Sequence, residues 1–178
     1  IIKIDSHGPI LFSKKDDGTP VKRVGTQGRQ FKFYKFRTMK PKTDSLRYDC
    51  LAEKSHRKGS PLVKIKNDPR ITRVGKILRR GSLDELPQLC SVFAGTMSLV
   101  GPRPHLPEEV AKYEKHHKFV LSIKPGISGL AQVNGRSDLD FEEEVRYDTY
   151  YIENWSPLLD IKILLRTILV VLGGKGAD

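Results

Sequence analysis

DPRITRVGKILRRGSLDELPQLCSVFAGTMSLVGPRP, residues 68–104, is the stretch on which the fold turns. Asp68 is a good helix N-cap, and Pro69 suits the first helical position, where its missing N–H costs nothing. Ile71, Val74, Ile77 and Leu78 then recur at helical spacing. Arg73, Lys76, Arg79 and Arg80 crowd the last turns, where cations complement the helix dipole, and Gly81 is placed to end the helix. Ser82-Leu83-Asp84-Glu85 has the spacing of a capping box and predicts a second helix. Its apolar stripe is Leu83, Leu86, Leu89 or Cys90, and Phe93, with Gly95 at its end; Cys90 is expected in the core. Pro87 removes a hydrogen bond in the first turns, so this helix is either irregular there or starts later. Met97 to Val100 reads as a short buried strand. Gly101-Pro102-Arg103-Pro104 follows as a rigid turn that presents Arg103 in a fixed direction.

Asp84 and Glu85 admit two readings. As a pair they are ordinary first-turn charges, favoured by the helix dipole. Beside several arginines, at a turn between two helices, they also suit a magnesium ion bridged to a substrate phosphate. Magnesium takes oxygen ligands and usually holds only one or two protein carboxylates. Arginine adds bidentate contacts to phosphate oxygens. An aspartate can also be a nucleophile, forming an acyl-phosphate that a second substrate attacks.

Outward from this stretch, composition sets bounds. The chain has 178 residues, enough for one domain with a real core, and 38% of them are hydrophobic. A formal charge of +11 points to an anionic partner: nucleic acid, phosphorylated substrates or an anionic membrane face. Much of it is also explained as solvated surface. Cys50 and Cys90 make neither a disulfide framework nor a metal-ligand spacing. His116-His117 has the wrong spacing for a one-face helical metal site, and both read as solvated. The chain starts at Ile1 rather than Met, as a fragment or processed chain would, and no segment reaches the roughly 20 apolar residues of a spanning helix.

Upstream, residues 1–12 read as extended and Asp16-Asp17-Gly18 as a hairpin turn. Residues 31–39, FKFYKFRTM, read as a strand. Its mixed aromatic and basic residues could track a nucleic-acid strand or simply form a half-buried strand with snorkelling lysines. Residues 40–67 carry one short helix at most. Downstream, residues 107–117 predict an amphipathic helix with Val110, Tyr113 and His117 inward. The Gly-rich run 124–136 fits turns between short strands better than any phosphate-loop pattern. Asp140 caps a helix whose acidic start, Glu142 to Glu144, needs no catalytic role. Pro157 opens a last, mostly apolar helix, which reads as a core helix or as one lying at a membrane surface beside Trp155.

SLDELPQL followed by MSLVGPRP closely resembles the bacterial sugar transferases, the monotopic polyprenyl-phosphate phosphoglycosyl transferases. FKFYKFRTM upstream and KPGISGLAQVNGRSDLDFEEEVRYDTYYIENWSPLLDIKILLRTI downstream extend the likeness over nearly the whole chain. The resemblance implies a catalytic domain spanning residues 1–178, without the family's N-terminal re-entrant membrane helix. It implies transfer of a sugar-1-phosphate from a UDP-sugar to polyprenyl (undecaprenyl) phosphate, with release of UMP, at the cytoplasmic face of the bacterial inner membrane. By the same likeness Asp84 is the nucleophile, and Glu85 with Asp84 holds Mg²⁺. Arg79 and Arg103 clamp phosphate, Lys35 and Arg37 edge the site, and Arg136 belongs to the substrate side.

The expected fold is α+β: one compact domain of amphipathic helices with a small, mostly antiparallel set of strands, helix exceeding strand, membrane-associated at full length. Nucleic acid is not an expected partner. The sugar and the oligomeric state stay open, a homo-oligomer included. The competing class is a basic module that binds nucleic acid or a membrane surface without catalysis.

Overall fold

Two short ribbons and a set of amphipathic helices make up the computed structural model, which describes residues 19–40, 43, 60, 65, 67–135 and 139–173. The first ribbon is a hairpin. Strand β1 (Lys22–Val24) pairs antiparallel with β2 (Gln30–Lys32), Lys22 opposite Lys32 and Val24 opposite Gln30. Gln27 and Gly28 turn the chain through left-handed backbone, with φ of 55° and 76°. The strand predicted over 31–39 thus ends at Lys32. The residues beyond it run irregularly to one antiparallel bridge, Met39 with Ile71.

The decisive stretch forms helices at other places than its caps suggested. Helix α1 runs Arg73–Arg80. Its N-cap is Thr72, whose hydroxyl accepts the Gly75 N–H at 2.9 Å. Asp68 does not cap; its carboxylate takes Arg70 in a two-pronged buried pair, Nη2 to Oδ2 at 2.6 Å and Nε to Oδ1 at 2.9 Å. Arg70 occupies that carboxylate with both its guanidinium and its own backbone N–H, the latter at 3.0 Å from Oδ1. Gly81 ends the helix as expected. The second helix is irregular and also late: a 3₁₀ turn, Leu83–Gln88, contains Pro87, and α2 (Leu89–Phe93) starts after it. Ser82 makes no side-chain cap, because it sits in left-handed backbone at φ 51°. Cys90 is exposed rather than core, and Ser91 takes the buried position instead.

The second ribbon is parallel. Strand β3 (Ser98–Val100) lies beside β4 (Gly126–Ser128), Ser98 opposite Gly126 and Val100 opposite Ser128. Of the two ribbons among the described residues one is antiparallel and one parallel, and the isolated Met39–Ile71 bridge is antiparallel too. Contact this close needs glycine: a Cβ at Gly126 would run into the Gly101 backbone. Between the two strands come α3 (Pro107–Val110) and a 3₁₀ turn, His116–Ser122. The long helix predicted over 107–117 breaks because His117 folds back, its Nδ1 accepting the Glu114 N–H at 3.0 Å. After β4 comes a short helix, α4 (Leu130–Asn134), where turns between strands were expected.

Helix α5 (Phe141–Glu153) opens with a full capping box, Asp140 and Glu143 each bonding the other's backbone N–H. It supplies both core clusters. Phe141 and Val145 pack on Tyr113 and Val120, while Tyr151 packs on Val100, Val133 and Ile163. Ile163 belongs to the last helix, α6 (Pro157–Gly173). The Tyr151 hydroxyl donates to Asp160 at 2.7 Å and ties α5 to α6. Helix exceeds strand among the described residues, as expected. No described helix is long and apolar enough to cross a membrane.

Candidate active site

Four pieces of backbone converge where α1 hands over to the 3₁₀ turn. The left-handed Ser82 redirects the chain so that Asp84 points inward, 2% exposed, while its neighbours Leu83 and Leu86 face out. The Asp84 carbonyl accepts the Phe36 N–H at 2.9 Å, which locks the turn to the segment after β2. That segment brings Lys35. Its Nζ lies 2.8 Å from Asp84 Oδ2 and 3.4 Å from Glu85 Oε1. From the turn after β3 comes Arg103, Nη2 at 3.3 Å from the same Glu85 oxygen. From α1 comes Arg79, whose Nε donates to Thr38 Oγ1 at 2.9 Å.

The electrostatics follow from this crowding. Burial alone would raise the Glu85 carboxyl, but Lys35 and Arg103 outweigh it and bring it down to about 2. Burial lowers Arg79 from its ordinary range, against the pull of Asp84 and Asp68. Arg103 is raised by Glu85 first, with burial opposing and Glu144 adding to the rise. Asp84 Oδ2 is buried and, despite the nearby ammonium, makes no hydrogen bond. Its partner is the Lys35 charge at 2.8 Å, an ion pair without hydrogen-bond alignment.

Of the residues singled out from sequence, Lys35, Arg79, Asp84, Glu85 and Arg103 are brought together. Arg37, two residues past Lys35, is exposed. Arg136 lies outside the described residues, as do Cys50, the Asp16-Asp17-Gly18 turn and most of 40–67. Three neighbours of the site were missed: Thr38, Glu144 and Asp148. The helix dipole accounts for Glu144 as an acidic start, yet the residue is buried, as is Asp148 one turn on. The signal was present, because 141, 144, 145, 148 and 151 recur as one inward helical face.

A second group, His116, His117 and Glu142, brings its ligand atoms within 4.8 Å of one another. His117 is buried, on the inward side the 107–117 pattern gives it and against the solvated reading of the histidine pair. Its Nδ1 is an acceptor, so Nε2 carries the proton and donates it to Glu142 Oε1 at 2.7 Å. A metal would need that Nε2 lone pair free, with Nδ1–H donating instead. The group is a hydrogen-bonded clasp between the 3₁₀ turn and α5.

Residues 1–174 match the bacterial sugar transferase family. The chain belongs to that family. Among relatives of this sugar transferase, the galactosyl transferase CpsE of Streptococcus agalactiae serotype III is 46% identical over 96% of this chain and 36% of its own length. The UDP-galactose-lipid carrier transferase of Erwinia amylovora is 44% identical over 94% of this chain and 36% of its own. The UDP-glucose:undecaprenyl-phosphate glucose-1-phosphate transferase of Xanthomonas campestris pv. campestris is 40% identical over 99% of this chain and 34% of its own. The chain thus spans about a third of the length of these relatives, 34% to 36%.

Proposed function

We propose that this sugar transferase chain moves a sugar-1-phosphate from a UDP-sugar to a polyprenyl phosphate such as undecaprenyl phosphate, releasing UMP. This would be the first membrane step in assembling a surface polysaccharide or glycoconjugate. The observation that carries the reading is Asp84: a buried carboxylate paired with Lys35 at 2.8 Å, with Glu85, Arg79 and Arg103 beside it. The printed activities of the Erwinia and Xanthomonas relatives supply the substrate class. Family membership speaks against a non-catalytic basic module.

The chemistry runs in two displacements. An Asp84 carboxylate oxygen attacks the sugar-bearing β-phosphorus, the bond to the bridging oxygen breaks, and UMP leaves with that oxygen. A phosphate oxygen of the polyprenyl carrier then attacks the same phosphorus. The Asp84–phosphorus bond breaks, and polyprenyl-diphosphate sugar departs. Arg79 and Arg103 clamp the diphosphate oxygens as charge builds on them. Lys35, within 3.4 Å of both carboxylates, occupies a position that calls for a cation. The all-oxygen donor pair beside it fits magnesium, which Asp84 and Glu85 would hold. Bound magnesium would neutralise the donor diphosphate.

The surface around the site fits a lipid substrate. Val74, Ile77, Leu83, Leu86 and Phe93 are all exposed on α1, the 3₁₀ turn that carries Asp84, and α2, with Phe93 91% exposed. Arg73, Lys76 and Arg80 stand exposed among them. Apolar side chains rimmed by cations suit the headgroup layer of an anionic membrane. Nucleotide sugars are cytoplasmic, so we assign the cytoplasmic face.

The test is a two-stage assay of the full-length protein in lipid nanodiscs with Mg²⁺. UDP-galactose or UDP-glucose is added first, and undecaprenyl phosphate second. UMP release and a sugar-phosphate mass on Asp84 are expected, with the adduct discharged by the lipid and both signals abolished by Asp84→Asn. An adduct on another residue, or turnover by Asp84→Asn, would defeat the reading.

A further inference from the structure

We propose that Thr38 is a positioning residue for Arg79: its buried hydroxyl holds the Arg79 Nε–H and so sets the plane in which the guanidinium is presented to the donor diphosphate. The inference deepens the transferase reading and rests on it for the role of Arg79.

Thr38 lies along one face of α1. Thr72, Gly75 and Arg79 follow one another at spacings of three and four residues, so they fall on the same side of the helix. The Thr38 carbonyl accepts the Thr72 N–H at 3.0 Å and the Thr72 hydroxyl at 3.3 Å. Two turns on, the Thr38 hydroxyl accepts the Arg79 Nε–H at 2.9 Å. Thr38 therefore holds both ends of that face, the N-cap with its backbone and the last turn with its side chain. Gly75, between the two, has no side chain to keep the Thr38 carbonyl away. The segment that carries Thr38 is itself tied to the catalytic turn, because the Phe36 N–H donates to the Asp84 carbonyl at 2.9 Å. One short piece of backbone thus fixes Arg79 and Asp84 to the same reference.

Thr38 is 4% exposed, and a buried hydroxyl costs stability unless it is hydrogen-bonded. Valine has the same shape and no polar atom to bury, so filling space gives no reason for the hydroxyl. Accepting from a guanidinium does. An arginine side chain turns about several bonds, and a charge-assisted bond at Nε takes up much of that freedom. Nε and both Nη groups share one plane, so a bond at Nε fixes the direction of the outer Nη pair, the fork that suits phosphate oxygens. Serine can accept in the same way as threonine. Valine and alanine cannot.

The experiment reads two things on the full-length protein in nanodiscs: hydrogen exchange at the Arg79 Nε–H, followed by NMR with isotope-labelled arginine, and UMP release from UDP-galactose or UDP-glucose. In Thr38→Val, exchange at Nε is expected to rise about tenfold or more as the bond is lost. Its kcat should fall about tenfold, with KM for the UDP-sugar moving less, since alignment is what suffers. Thr38→Ser should stay within about threefold of wild type in both readings. In an Arg79→Lys background, Thr38→Val should lower kcat by less than about twofold further, because the group it positions is gone. If Thr38→Val does not fold, Thr38→Ala replaces it with the same expectations. Wild-type exchange or wild-type kcat in the Val or Ala variant overturns the proposal, as does a Ser variant equally impaired. A full tenfold loss in the Arg79→Lys background overturns it too, since Thr38 would then act on the fold and not through Arg79. A wild-type protein that releases no UMP refutes the transferase reading instead. Exchange at Nε then still decides whether Thr38 holds Arg79.

Discussion

Helices α1 and α2 and helix α5 are all amphipathic, yet they face opposite ways. In α5 the rule for a water-facing helix holds. Phe141, Val145 and Tyr151 are buried, and Glu142, Glu143 and Arg146 are exposed. Around the site the rule inverts. Ile77, Leu86 and Phe93 are outside, while Asp84, Gln88 and Ser91 are inside. Apolar side chains on the outer face cost little only if that face does not meet water. One region has the pattern of a helix with solvent on its far side, and the other exposes the apolar face on which the proposed lipid surface would lie. Arg103 links the two: its guanidinium reaches Glu85 at 3.3 Å, and the Glu144 carboxylate of α5 adds to its raised pKa.

The contrast can be broken at its bridge first. Arg103→Ala should lower kcat/KM for the UDP-sugar by about 10²–10³, the usual cost of losing one preorganised charge partner. Arg103→Lys should recover little of it, because a point charge does not replace a planar fork. Steady-state UMP release measures both. A variant with full activity would remove Arg103 from the site.

The inverted face comes next. Phe93→Glu should weaken association with anionic vesicles by about tenfold or more, since burying such a ring is worth about 1.5–3 kcal/mol. Its thermal midpoint should hardly move, because Phe93 is 91% exposed. A drop in midpoint with unchanged vesicle sedimentation would show the side chain packing on protein instead.

The smallest effect belongs to the water-facing region. Asp148 is raised in the folded state by burial and by Glu144, against the Arg103 N–H, and it lies near the Tyr113 hydroxyl. The folded protein therefore binds a proton that the unfolded chain has released. Stability from this group is fully present below the unfolded carboxylate pKa and is lost as pH rises toward the raised folded value, at most ~1.4 kcal/mol per pH unit. Asp148→Asn should flatten that decline. Thermal midpoints taken from pH 4 upward would show it, and parallel curves for the two proteins would exclude it.

The sequence was most legible where a single residue type enforces one geometry. The Gly81 stop, the Asp140 cap and the Pro157 start all stand where they read. It was least legible where two partners compete for one group. Asp68 looked like a cap until Arg70 claimed its carboxylate, and His117 broke a helix by supplying its own acceptor. The gathering of Lys35, Arg79 and Arg103 on Asp84 and Glu85 depends on segments far apart in sequence. Spacing within one helix carries no trace of that meeting; only family likeness pointed to it. The burial of Glu144 and Asp148 could have been read from helical phase, but acidic residues at a helix start invite an electrostatic explanation that stops short of asking which way they face.

One glycine sets a condition on improving this protein. Gly75 lies in the middle of α1, where alanine would normally add about 1 kcal/mol of helix stability. Here a Cβ would collide with the Thr38 carbonyl oxygen. The helix would have to back away from the segment that carries both Thr38 and Lys35, drawing Arg79 off Thr38 as it went. A thermostabilisation campaign guided by propensity would choose this position early. It would gain a firmer helix and pull the cations away from their carboxylates, so the bare position is one that protein engineering should leave alone.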